Sequence, residues 1–356
     1  MAYTAIDDPS AHFQTLLYTG DGNDDRSLTN DGNSDLKPDL AWIKSRGTTN
    51  DHLLFDSTRG IGKYLRSNAD DPVTDNADTL QAFETDGIEV GTDSRLNTDA
   101  DTIVAWQWKA NGGTRTTNTE SGDNPGGGYQ ANATAGFSII DYVGTGAAGT
   151  KTHGLGAVPH LMIVKNRATD NQDWVVYHHK NTAAPETDYL NLNTSGATAD
   201  TDGYWNDTAP TSSVFTLKDN TRVNEDGVNI IAYLWTEIQG YSKFGSYTGN
   251  NNADGPFVYT GFKPAFVLFK ATAGTENWGV FDNKRNTTPG NPRDIYLAPS
   301  SNAADSGESD SVDFLSNGFK WRIASGFRNG DGVAFIYMAF AEQPFVTSGG
   351  VPCTAS

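Results

Sequence analysis

The chain has 356 residues, room for two to three domains, and carries 25 Lys and Arg against 44 Asp and Glu, a formal net charge of −19. Such a surface repels a phosphate backbone and an anionic bilayer, so neither nucleic acid nor membrane is an expected partner. The single cysteine, Cys353, can form no internal disulfide, and apolar runs such as Ala334 to Phe340 fall far short of a membrane helix of about 20 residues.

In chain order, the opening MAYTAIDDPS has neither a basic nor an apolar stretch of the kind that directs secretion, so an extracellular role is expected to follow another route, such as lysis of the producing cell. The first strand reads Phe13-Gln-Thr-Leu-Leu-Tyr18 and ends in Tyr18-Thr-Gly20 and an acidic loop, Asp21-Gly-Asn-Asp-Asp25. Pro38 then precedes the run Leu40-Ala-Trp-Ile43, closed by Lys44. Apolar at every position, this run is expected to be a central strand covered on both faces. Leu54-Phe55-Asp56, a hairpin turn at Asp86-Gly87, Asn97 and a strand carrying Trp108 complete the block. Asn111 to Ala135 is rich in Gly, Thr, Asn and Ser and almost free of apolar residues, which predicts a flexible linker.

The same order then recurs twice. Tyr142-Val-Gly144 and Tyr247-Thr-Gly249 match the first tripeptide, and Pro159 to Lys165 and Pro264 to Lys270 match the central run. Val176-Tyr177-His178 and Val280-Phe281-Asp282 follow, preceded by Trp174 and Trp278. The Pro and the Lys both advance by 121 residues from the first block to the second and by 105 to the third; Asn97, Asn224, Asn329 and Trp108, Trp235, Phe340 advance by 127 and then 105. Constant offsets mark a repeated unit. The copies lie at about residues 12–110, 136–239 and 243–345. The division expected is unit one with an N-terminal arm at 1–110, linker 111–135, unit two at 136–241, unit three at 242–346 and a tail at 347–356. Short β-rich segments separated by Gly, Asn and Asp clusters, with no helical period, predict an all-β chain of three tandem antiparallel β-sandwich, jelly-roll-like units.

The strings PDLAWIKSR, HLLFDSTRG, HGLGAVPHLMIVKNR, YWNDTAPTSSVFTL and FIYMAFAE resemble an uncharacterised repeat domain of virion structural and tail-fibre proteins of marine bacteriophages. The resemblance covers nearly the whole chain apart from the linker and the last dozen residues. It implies a concanavalin- or laminin-G-like β-sandwich in the virion, assembled in the host cytoplasm and extracellular after lysis. The function it implies is a tail-fibre or spike component that contacts the host surface, with capsid decoration, as a cement or head-fibre protein, as the alternative and a glycan depolymerase as a third reading. The partners expected with it are other virion proteins, further copies of the chain in a trimer or array, and a host surface glycan. A long N-terminal anchor, a coiled-coil heptad and a collagen-like stretch, all usual in fibres, are missing from the sequence.

Chemistry is sparse. The six histidines, at 12, 52, 153, 160, 178 and 179, form no zinc signature, and the neighbours His178 and His179 point to opposite faces of a strand. GxSxG is absent, and the acidic residues lie mainly in turns, so no enzymatic activity and no cofactor are expected. Asp21, Asn23 and Asp25 alternate as calcium ligands do, without a closing glutamate, so calcium competes there with a plain turn. Tyr204 and Trp205 lie in a polar stretch with no counterpart in the other units. Flanked by Asp202, Asn206 and Asp207, they form the candidate glycan site, against the reading that the rings fold back onto the sheet.

Overall fold

Period-2 alternation decides what each central strand does in the computed structural model, which describes residues 3–286 and 290–354. Met1, Ala2 and the last two residues of the expected tail lie outside it. In Leu40–Ser45, Leu40 and Trp42 point to one side and Ala41 and Ile43 to the other, and both sides are buried. Leu161–Asn166 and Phe262–Ala271 repeat the pattern. The expectation of strands covered on both faces therefore describes the molecule, whose regular secondary structure is almost entirely antiparallel β-sheet.

Each unit pairs its first strand with its last. Phe13–Thr19 lies against Thr102–Trp108, Phe137–Val143 against Asn229–Trp235, and Ser242–Thr248 against Ala334–Pro344. The central strand lies on the other side of the last strand, with Leu40 opposite Trp108, Leu161 opposite Trp235 and Phe266 opposite Phe340. Lys44, Lys165 and Lys270 fall opposite Val104, Ile231 and Ile336, so the registers coincide across the units. A second sheet, smaller than the main one in units one and two and equal to it at four strands in unit three, packs on the outer face of each main sheet and encloses that unit's own core. The turns at Asp86-Gly87 and Asn317-Gly318 join strands of these outer sheets.

The repeated Tyr-x-Gly and Asn build one staple per unit. Tyr18, Tyr142 and Tyr247 donate their hydroxyls to the carbonyls of Leu96, Val223 and Arg328, each the residue before the repeated Asn. A side chain at Gly20, Gly144 or Gly249 would meet the backbone oxygen of Thr98, Glu225 or Gly330 at 2.0–2.2 Å, so only glycine permits the crossing. Asn97, Asn224 and Asn329 are fully buried and accept from Asp21 N, Thr145 N and Asn250 N. Each also donates back to the loop, to Asn23, Ala147 and Asn252.

The expected arrangement, with unit one joined to the other two by a flexible linker, is corrected by the inner faces. The inner faces of all three main sheets converge on a single apolar core, where Trp108 packs against Phe13, Trp235, Phe266 and Phe340 with ring centroids 5.0–6.2 Å apart. Three backbone hydrogen bonds close the arrangement: Val73 N to Arg167 O, Thr198 N to Thr272 O, and Asp305 N to Arg46 O. Their acceptors Arg46, Arg167 and Thr272 stand 121 and 105 residues apart, the same steps as the repeated Lys, so unit one touches two, two touches three, and three touches one. The chain is a ring of pseudo-threefold symmetry.

The expected flexible linker is corrected too. Gly127–Asn132 pairs with Phe137–Val143 and Thr116–Asn118 pairs with Gly127–Asn132, so the segment extends the main sheet of unit two by two strands. Strand pairing draws on backbone groups that every residue carries, which is how a segment poor in apolar residues joins a sheet.

Candidate functional site at the seams between units

The candidate glycan rings are buried. Tyr204 is 4% and Trp205 1% exposed, both inside the core of unit two, where Trp205 Nε1 donates to Asp188 O at 3.1 Å and Tyr204 Oη accepts from Arg222 at 2.8 Å. Asp202 pairs with Lys218, and Asn206 and Asp207 take left-handed turn conformations, φ 51° and 46°. The segment folds back over the sheet because two large rings gain more by burial than the flanking Asp and Asn lose by lying at its edge. No stacking face remains for a sugar there, which corrects the assignment.

The acidic loop has an organiser of its own. Asp21 Oδ1 accepts from Asn23 N at 2.9 Å and Oδ2 faces Arg26 Nε at 3.2 Å, contacts that hold the carboxyl below the usual range. The Asn23 carbonyl accepts from the buried Asn97 amide, and Asp25 N donates to Gln81. Among the described residues, no three His, Cys, Asp or Glu side chains converge as a metal set. Asp21, Asn23 and Asp25 are thus tied to an arginine and to neighbouring amides.

Buried charge concentrates at the seams. Asp56 and Arg59 form a fully buried pair at 2.5 Å, and Tyr233 of unit two donates to Asp56 Oδ2 at 2.7 Å. Asp282 and Arg285 repeat it in unit three, with Trp106 Nε1 of unit one donating to Asp282 at 3.0 Å. Burial would raise the Asp282 carboxyl, but the Arg285 guanidinium holds it below the usual range. Unit two has His178 at this position. Its Nδ1 accepts from Lys180 N, which leaves Nε2–H to donate to the Tyr337 carbonyl of unit three at 3.1 Å. The ring indoles follow the same cycle: Trp174 reaches Arg66 O in unit one and Trp278 reaches Asn191 O in unit two. His52 takes this place in unit one, where Trp42 donates to its Nδ1 and its other side turns to the Ala298 backbone of unit three. Lys44, Lys165 and Lys270 are buried, each donating to the next residue's carbonyl, and burial pushes all three ammonium groups down to about 8. Asp56, Asp282, His178 and the indoles of Trp106, Trp174 and Trp278 thus bond across a seam, as Lys165 does to the Asp70 carbonyl at 3.1 Å, whereas Lys44 and Lys270 donate within their own units.

One seam is not filled. Between units three and one lies a cavity of about 250 Å³, just under the roughly 300 Å³ at which drug-sized ligand pockets begin. Thr15, Ala265, Asn283 and Glu342 line it; none was singled out from sequence. Comparing aligned positions across the repeats would have found it, because the small Ala265 stands where the other units carry Asp39 and His160.

The comparisons agree with the ring as one unit. A family model described as a domain of unknown function, DUF7483, matches residues 8–344, across all three repeats. The chain belongs to the DUF7483 family. No curated protein and no solved structure matches it. In this chain the match spans the whole three-unit ring and not a single repeat.

Proposed function

We propose that the chain is a non-enzymatic structural module of a bacteriophage particle, a tail-fibre or spike component that contacts the host surface. The observation that carries the reading is the closed ring: the buried Asp56, Asp282, His178 and Lys165 are spent on joining units, as a durable structural part requires. The sequence resemblance supports the particle, and a fold without disulfides suits assembly in a reducing cytoplasm followed by lysis. One chain already buries the inner faces of its sheets, so a homotrimer is not needed to complete a core; its outward surfaces are assigned to other virion proteins and to further copies in an array.

Mass spectrometry of purified particles, with antibody labelling under the electron microscope, tests the reading. A few copies per particle located on the tail are expected. Hundreds of copies on the head would replace the fibre with capsid decoration, and release of reducing sugar from host polysaccharide would replace it with a depolymerase. Abundance in infected cells with absence from particles would overturn it.

A further inference from the structure

The pseudo-threefold ring makes three equivalent seams, and the chain treats one of them differently. The backbone bonds Ser57 N to Asp39 O, His179 N to His160 O and Asn283 N to Ala265 O mark the same place in each unit. Strand pairing likewise aligns Thr15, Ile139 and Phe244, opposite Trp106, Tyr233 and Met338.

Between units two and three, three rings occupy this place: Phe244 stacks on His160 at 6.3 Å, His160 meets His179 at 4.3 Å, and His179 Nε2 reaches Phe244 O at 2.8 Å. Between units one and two the former linker occupies it. Gln130 bonds Ser57 and Thr58, and Gly112 N and Ser57 both donate to the Asp39 carboxylate. Between units three and one, threonine, alanine and asparagine replace the rings, and the space stays open.

We propose that this open seam is a binding site for one neutral sugar residue. Thr15 is 4% exposed, and among the described residues neither its hydroxyl nor the buried Asn283 Oδ1 has a hydrogen-bond partner. An unpaired hydroxyl and an unpaired amide oxygen ask for a ligand that both donates and accepts, which a ring of hydroxyls does. The charged groups at the cavity are already compensated: Lys284 pairs with Asp31, and Glu342 with Lys263 at 3.1 Å and with Asn283 Nδ2 at 2.8 Å. That balance disfavours an ionic ligand. Ala265 and Ala341 add apolar wall, and the volume admits one ring and not a chain. The inference rests on the particle reading only for where the sugar would come from, namely a host surface glycan.

Saturation-transfer NMR on the full chain with glucose, galactose, mannose and N-acetylglucosamine, and with inorganic phosphate as the charged control, tests it without any particle. At least one sugar should receive saturation and phosphate should not perturb it. Thr15→Phe, which places a ring where Phe244 lies in the next seam, should weaken binding at least tenfold, and Asn283→Ala should weaken it severalfold, both with a folded chain by circular dichroism. If Thr15→Phe fails to fold, Ala265→His serves as the filling variant. No saturation with any sugar, or binding unchanged in a filled variant, overturns the site and leaves the particle reading intact. Sugar binding by a chain absent from particles would uphold the site and overturn the particle reading.

Discussion

Asn329 shows how one residue type, repeated, carries a whole turn. Its amide donates to Asn252 O and Ile323 O at 2.9 Å and its oxygen accepts from Asn250 N, all away from water. Asn329→Ala leaves these groups unpaired, at roughly 1 to 3 kcal/mol for a buried orphan, and should lower the urea midpoint accordingly. Trp205→Ala opens a cavity in the core of unit two and should cost about 3 to 5 kcal/mol of stability in the same titration. An unchanged midpoint would return Trp205 to the surface. His178 predicts the acid response. Burial, with His179 and Lys180 beside it, pushes its pKa down to about 3, against about 6.5 in an unfolded chain. Between those values the unfolded state binds the extra proton, so stability falls as pH drops below 6.5 and is unaffected above it. At pH 5 the loss is about 2 kcal/mol from this ring, at 1.36 kcal/mol per pKa unit. Urea titrations at pH 7.5 and 5.0 should show a smaller loss in His178→Gln than in the parent chain.

At the scale of elements, the stretch 111–135 departs from the expected linker and the stretch around Tyr204 takes its folded-back alternative for the same reason. Composition reports what a segment can bury, and neither segment advertises its partner. Gly127–Asn132 is held by ladder bonds to Phe137–Val143 and by Gln130 reaching unit one, with Tyr129 its one ring against the core of unit two. Hydrogen exchange by mass spectrometry should show amides of 128–132 protected together with those of 137–143. Exchange within seconds would restore the linker. The central strands, by contrast, were legible because Leu40-Ala-Trp-Ile43 and its copies are apolar on both faces, and the offsets placed Lys44, Lys165 and Lys270 in one register that the pairing repeats. The open seam was hidden because its signal is smallness, Ala265 and Asn283 where His160 and His179 stand, and small residues attract no notice in a single pass along a chain.

The whole molecule turns on what covers the inner faces. Alternation said that Trp42, Ile163 and Leu268 are covered; it could not say that the cover is the other two units, since a sandwich partner gives the same pattern. Trp108, Trp235 and Phe340 meet at the centre, so separating the units would expose the face each contributes, along with the half-pairs Asp282 with Trp106 and Asp56 with Tyr233. Three independent sandwiches would melt as three domains do; a ring with one core melts as one. Differential scanning calorimetry of the full chain against a fragment of residues 242–346 tests this most directly. The ring predicts a single transition for the full chain, with calorimetric and van't Hoff enthalpies agreeing, and no cooperative transition for the fragment. Two or three separable transitions, or a fragment that melts cooperatively at the temperature of the full chain, would contradict it.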